Sequence, residues 1–363
     1  MIYLDHGATS FPKPAPVRRA MLEALEHCAN PGRGGHQAAM AAARTVYDCR
    51  REASGFFHCR PEQVIFTANC TQGLNVALRS MVRPGSRVVI SGFEHNAVTR
   101  TLHLLGAKIL VAGRRLFDPA DTLEEFRKAL ASGADAAVFT HVSNVFGYIL
   151  PVEEMAALCR SYGVPFVVDA AQSAGCLDIS LETLGADYIA MPGHKGLLGP
   201  QGTGILLCGA DPQPLMAGGT GSDSVLQTMP DFLPDRLEPG TVNVPGIAGL
   251  AAGIRMVRRL GTDTILRREQ AAARQCAVIL RRRGYRVFEG TPQTGTVSFL
   301  PGEDCEHFAE KMARRGIALR AGLHCAPLAH ESAGTLETGT VRISFGHDAD
   351  PAQVAAFARA LVP

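Results

Sequence analysis

The chain contains no tryptophan, and aromatic residues of all kinds make up only 6% of its 363 residues. It has no polybasic block and no interleaving of aromatics with arginines, so nothing in it is built to stack on or clamp a nucleic acid. An excess of one charge is missing too. The 36 basic and 34 acidic side chains leave a formal charge of +2, which gives no reason to expect nucleic acid or an anionic membrane as partner. No stretch reaches the roughly 18 consecutive apolar residues of a membrane span. The start, Met1 to Asp5, lacks the cationic region and long apolar run of a secretory leader. These absences point to a cytoplasmic protein. Ten cysteines and twelve histidines are present, but without a Cys-x-x-Cys pair, a His-Glu-x-x-His motif or zinc-ribbon spacing, so no metal site is expected. Most of the thiols read as buried groups in a reducing compartment.

What is present describes a globular protein of one large or two ordinary domains, 46% hydrophobic and 19% charged. Short apolar runs at Val64–Thr67, Val88–Ile90, Ile109–Val111, Ala136–Thr140, Phe166–Val168, Tyr188–Ala190 and Ile205–Leu207 alternate with helical patterns. Continuous apolar strands separated by helices imply a mostly parallel sheet covered on both faces. A large α/β domain is expected over residues 14–250 and a small α+β domain over 251–363, joined by an N-terminal segment 1–13. The small domain should carry strands at Val297–Phe299, Ile317–Leu319 and Val341–Phe345. The glycine-rich stretch Asn30 to His36 is either a turn or a close backbone approach to a ligand, with Arg33 and His36 beside it.

The stretch Pro165 to Gly204 is the most informative. One strand ends on Asp169, and the next delivers Gly193, His194 and Lys195 before a glycine-rich loop. Ligands of open α/β sheets bind at strand ends, where such a pair can meet. A lysine amine and a buried carboxylate suit pyridoxal phosphate: the amine can hold its aldehyde, and the carboxylate keeps the pyridine nitrogen protonated. Taken alone, Gly-His-Lys equally suits a surface turn with a solvated lysine. Asn69, Cys70 and Thr71 open a helix after a strand, which presents free backbone amides to an anion and is also an ordinary helix cap.

Taken together, Tyr3-Leu4-Asp5, Arg33 to His36, Asn69 to Thr71, Glu94-His95, His141 to Asn144, Asp169 to Gln172, Gly193 to Lys195, Glu238 to Thr241, Arg320 to Cys325 and Thr340 to Arg342 resemble the class V aminotransferase superfamily. Within it they resemble the branch of cysteine desulfurases and selenocysteine lyases. The resemblance spans nearly the whole chain. It implies fold type I, with Lys195 holding pyridoxal 5′-phosphate, Asp169 on the ring nitrogen, Gln172 on the ring hydroxyl and His95 stacked on the ring. Thr71, His194 and the position of Cys70 would receive the phosphate, with Thr241 reaching in from the partner of a homodimer. His36, Asn144, Arg320 and Arg342 would bind substrate, Arg342 taking its carboxylate bidentately.

The pattern also departs from the family. Pro192 stands where a serine is usual, Cys70 where a threonine is usual, and His6 where an asparagine is usual. Asn96 and Leu323 replace second histidines. Phosphate would then rely more on backbone amides. The activity implied is conversion of L-cysteine to L-alanine with a persulfide left on Cys325 for an acceptor protein. The alternatives are cleavage of L-selenocysteine with selenium delivery, a transaminase or lyase acting on another small amino acid, and a sulfur-relay scaffold without catalysis. Cys325 has His324 beside it and Arg320 nearby, either of which would stabilise a thiolate if turned inward. Cys70 competes as nucleophile, because a helix N-terminus lowers a thiol pKa.

Overall fold

Alternation along each apolar run decides the architecture. In the computed structural model, which describes residues 1–32 and 34–361, Val138, Val167 and Ala190 enter one hydrophobic cluster while Phe139, Val168 and Ile189 enter another on the opposite face. Strands buried on both sides need helices on both sides, and the chain supplies them. The reading of Arg33 falls outside the described residues.

After β1 (Ile2–Tyr3), helices α1 (Ala15–His27) and α2 (Gln37–Phe56) lead to β2 (Val64–Thr67), α3 (Cys70–Met81), β3 (Arg87–Ser91), α4 (Asn96–Leu104), β4 (Lys108–Ala112), α5 (Pro119–Ala131), β5 (Ala136–Thr140), α6 (Val152–Tyr162), β6 (Phe166–Asp169), α7 (Leu181–Leu184), β7 (Tyr188–Pro192) and β8 (Gly204–Cys208). These seven strands, β2 to β8, are the seven expected runs. They form one sheet in the order β2-β8-β7-β6-β5-β3-β4, parallel except for β8, which runs against both neighbours. Helix α8 (Val244–Leu260) continues unbroken past residue 250 and packs on α1 and α2. We therefore place the boundary of the large unit at Gly261.

The small unit begins with α9 (Thr262–Arg282) and β9 (Arg286–Phe288). It continues through β10 (Thr296–Leu300), α10 (Cys305–Arg314), β11 (Ile317–Ala318), β12 (Arg320–Gly322), α11 (Pro327–Ala333), β13 (Thr340–Ser344) and α12 (Pro351–Ala360). Its antiparallel sheet runs β12-β13-β10-β9 over a core that includes Leu280, Phe299, Phe308 and Phe357. The expected single strand at 317–319 is two. β11 pairs with β1, whereas β12 pairs with β13, because the chain turns from one partner to the other at Leu319. The β1–β11 pairing ties the N-terminus to the small unit, and Ser10 then donates to the carbonyl of His194 at 3.0 Å, so residues 1–10 bridge the two units.

Between β8 and α8 the described chain has little regular structure beyond a 3₁₀ turn at Asp235–Leu237. One buried ion pair anchors it. Arg50 on α2 donates to both carboxylate oxygens of Glu238 at 2.9 and 2.8 Å, and the backbone N–H of Phe66 donates to Glu238 Oε1 at 2.7 Å. Both side chains are 8% exposed. Glu238→Ala should leave Arg50 as an unpaired buried cation and lower unfolding stability by about 3 kcal/mol. The urea midpoint measures this, and an unchanged midpoint would show that the pair is not holding the segment.

Candidate active site

The C-terminal ends of β2, β3, β5, β6 and β7 converge on a cavity of about 260 Å³ between the two units. Asp169 is the last residue of β6. It is 2% exposed, and its Oδ1 accepts from the N–H of Ala171 at 2.9 Å and from the Cys70 thiol at 3.4 Å. Only Oδ1 is engaged by protein groups among the described residues. Lys195 follows β7, the strand paired with β6, so register alone brings its loop beside Asp169. Its amine has no protein hydrogen-bond partner among the described residues. Burial pushes its pKa down and the Arg342 cation pushes it further, with Asp169 opposing both. Gly175 lets the two loops meet: at φ +100° a side chain there would collide with the carbonyl of Gly196.

The same cavity is lined by Asn69, Cys70, Thr71, His95, Asn144, Gln172, Pro192, His194, Arg320, Cys325 and Arg342. Asn69 caps α3 by accepting from the N–H of Gln72 at 2.9 Å, leaving Thr71 in the first turn facing the cavity. His95 caps α4: its Nδ1 accepts from the N–H of Ala97 at 3.0 Å, which fixes the ring and leaves the proton on Nε2. Burial lowers its pKa, so the ring is a neutral plate. His194 is neutral for the same reason, pushed down to about 4 by burial and by Lys195 and Lys13. It offers an anion a hydrogen bond and no charge. Gln172 donates to the carbonyl of Gly7 at 3.0 Å.

Arg342 is 2% exposed and donates to Asp5 Oδ1 at 2.6 Å and to the carbonyl of Asn144 at 2.9 Å, with Nε unpartnered. Arg320 lies directly across the β12–β13 ladder from Arg342 and is exposed. Two guanidinium groups therefore face one cavity, an arrangement suited to a carboxylate.

Several expectations change. His36 lies outside the cavity, exposed, with its Nδ1 accepting from the N–H of Ala39 at 3.3 Å as the cap of α2. Thr241, expected to serve a partner's site and not its own, lies outside this chain's cavity, exposed on the segment after Glu238. Cys70 does not have the lowered pKa expected of a thiol at a helix N-terminus. Burial and the Asp169 charge push it well up, outweighing the helix dipole, so it is a neutral thiol donating to Asp169. His324 is turned away from Cys325. Its Nε2 meets the carbonyl of Thr340 at 3.1 Å, and burial with the nearby arginines pushes it to about 2, so it offers a thiolate no cation.

Cys325 precedes α11, a helix not anticipated between the strands around it. Both His324 and Cys325 take left-handed backbone, at φ +49° and +57°, unusual for side-chain-bearing residues. The strained pair is held by the large unit. Asn144 donates to the carbonyl of His324 and the N–H of Asn96 donates to that of Cys325, each at 2.7 Å. Of the ten free thiols Cys325 is the exposed one; Cys28 and Cys59 are half-buried and the rest are buried.

Three residues near the site have roles that the sequence did not indicate. Lys13 donates to the carbonyl of His194 at 2.7 Å and to Ser10 Oγ at 2.7 Å, its own pKa pushed down to about 8 by burial. Glu94 is fully buried and ties the end of β3 to β5, accepting from the N–H of Thr140 at 2.9 Å and from Ser91 Oγ, with its pKa raised to about 8 by burial. Glu94 and Asp5 belonged to recognised motifs, but Glu94's tie to β5 and Asp5's pairing with Arg342 link distant parts of the chain.

A model of the family described as aminotransferase class-V matches residues 2–357. The chain belongs to this family. A probable cysteine desulfurase of Methanothermobacter thermautotrophicus is 33% identical over 364 residues, covering 94% of this chain and 89% of that one. A probable cysteine desulfurase of Pyrococcus abyssi is 32% identical over 372 residues, covering 95% and 89%. The apo structure of a cysteine desulfurase from Thermococcus onnurineus is 31% identical in sequence, superposes with a TM-score of 0.89 and covers 99% of this chain and 93% of that one. The expected fold type I architecture is the one observed. Among the described residues no helix is long and apolar enough to cross a membrane.

Brief treatment of the native protein with iodoacetamide should modify Cys325 first, because the buried thiols are both inaccessible and, like Cys70, held protonated. Peptide mass mapping reads the order. Equally fast labelling of Cys70 would contradict the site described.

Proposed function

We propose that this chain is a pyridoxal-phosphate-dependent cysteine desulfurase that moves the sulfur of L-cysteine onto Cys325 and releases L-alanine. The observation that carries the proposal is that Cys325, the exposed thiol of the ten, opens onto the same cavity as Lys195 and Asp169. The names of relatives about one-third identical over nearly their whole length support it.

The residues present fit the cofactor. An unpartnered amine, a buried carboxylate with one oxygen uncommitted, a fixed neutral imidazole and a helix N-terminus bearing Thr71 surround one cavity. Lys195 would hold the aldehyde, Asp169 the ring nitrogen, Gln172 the ring hydroxyl, and Thr71 and His194 the phosphate. The Cys70 thiol serves Asp169, which leaves the backbone N–H of Cys70, at the start of α3, to offer the phosphate. When bound, the cofactor supplies an electron sink for carbanion chemistry at the substrate Cα.

The chain's own groups do the rest. Arg342, Arg320 and the amide of Asn144 orient the substrate carboxylate. Lys195, which burial and Arg342 bias toward the neutral amine able to accept a proton, takes and returns the Cα proton. The Cys325 thiolate attacks the substrate sulfur: an S–S bond forms, the Cβ–S bond breaks, and its electron pair stays with Cβ, which accepts a proton as alanine forms. Cys325 is left as a persulfide for an acceptor protein. A homodimer completes the proposal. Thr241 lies outside its own cavity and is exposed, and Met216, Val225, Leu226 and Phe232 present large apolar side chains on the same segment, as a subunit contact would.

Purified protein incubated with L-cysteine, L-selenocysteine and a panel of other amino acids should form alanine from cysteine. Cys325→Ala should bind cysteine yet lose alanine formation by at least about 100-fold, while Lys195→Ala loses it with every substrate. Alanine from cysteine at the wild-type rate in Cys325→Ala would contradict the proposal. Activity on selenocysteine alone would reassign the substrate.

A further inference from the structure

Lys195 faces a second, smaller cavity of about 40 Å³ on the side of the small unit. One water needs roughly 10–15 Å³, so the space holds a small cluster. Leu198, Ile265 and Phe345 form the apolar part of its wall, and titratable and polar groups the rest: Lys195 and Gln172 belong to both cavities, and Glu269, His6, His347 and Ser10 belong to this one.

Glu269 stands out among these. It lies on α9, is 9% exposed, and its carboxyl makes no hydrogen bond or ion pair to the protein among the described residues. A buried carboxyl without a protein partner is costly unless it is protonated or hydrated. Burial, followed by the Asp348 charge, raises its pKa to about 8. The titratable groups that line its cavity with it are Lys195 and Cys176 from the large unit, and His6 and His347 from the N-terminal segment and the turn after β13, while Asp348 of that turn is the charge that acts on it. Burial lowers the pKa of both histidines, neither Nδ1 has a hydrogen-bond partner, and Asp348 Oδ1 lies 3.7 Å from His6 Nε2 and 3.8 Å from His347 Nδ1. Imidazoles whose Nδ1 atoms make no hydrogen bond and a carboxyl without a protein partner, around a space of water size, are groups that can relay protons.

We propose that Glu269 is the proton reservoir of Lys195, exchanging a proton with its amine through water in this second cavity and connecting it to solvent past His6 and His347. The exchange balances within the pair: the carboxyl O–H breaks and the Lys195 N–H forms, turning acid and amine into carboxylate and ammonium, and the reverse step restores both. Glu269 touches neither substrate nor cofactor and acts only through Lys195. The proposal rests on Lys195 as the base of the proposed desulfurase.

Two readouts test it on the holoenzyme. Infrared difference spectra of wild type against Glu269→Gln at neutral pH should show a protonated-carboxyl stretch that shifts in D₂O, present only in the wild type. Exchange of the Cα hydrogen of L-alanine with D₂O, followed by proton NMR, should slow by at least about tenfold in Glu269→Gln. Glu269→Asp, which keeps a titratable group, should recover part of the rate. Wild-type exchange in Glu269→Gln, or absence of the band in the wild type, would overturn the proposal. Lys195→Ala separates the two ideas: exchange persisting in that variant would sink Lys195 as the base, whereas exchange lost there but retained in Glu269→Gln would sink only the reservoir.

Discussion

Burying an amine beside a guanidinium is the constraint on which this molecule turns. Lys195 and Arg342 face one cavity, and each makes the other harder to keep charged. Two carboxylates offset that repulsion. Asp169 arrives at the end of β6, next to the strand that delivers Lys195, while Asp5 must come from the opposite end of the sequence. This explains why the first ten residues are pinned at both ends, by β1 against β11 and by Ser10 against the carbonyl of His194. The two units are held together at the place where their charges must balance.

The histidines and the buried cysteine that line the cavity are kept neutral. His95 and His194 are pushed toward the neutral imidazole by burial, and Cys70 toward the thiol. A site filled with neutral donors and one uncommitted carboxylate oxygen is pre-organised for a charged guest without competing for it. Cys325 is the exposed one among the thiols. Its strained backbone is clamped by Asn144 and by the N–H of Asn96, so the thiol is carried by the small unit but positioned by the large one. A thiol so held meets a substrate in the cavity, and an acceptor for its sulfur must approach the exposed face.

The elements legible in the sequence were those encoded locally. Apolar runs bounded by helical patterns marked all seven strands of the large sheet, and Asp169 and Lys195 at consecutive strand ends marked the site. What escaped was encoded by distance. The Cys70 thiol meets an Asp169 carboxylate 99 positions away, and Arg342 meets Asp5 across 337, pairings that no local pattern carries. The split of β11 from β12 was hidden because both are short and continuous in sequence. Helix α11 was masked by the prolines and glycines around it, which also suit a loop. His36 and His324 misled for a related reason: a histidine beside glycines or a cysteine suggests chemistry, yet each spends its ring nitrogen on backbone.

The chain has only four lysines besides Lys195, namely Lys13, Lys108, Lys128 and Lys311, so the covalent claim can be tested residue by residue. The holoprotein should be reduced with borohydride, digested and mapped by mass spectrometry. The cavity built around Asp169 predicts a pyridoxyl group on Lys195 alone. Finding the group on Lys13, on a surface lysine or on none would contradict the account at its centre.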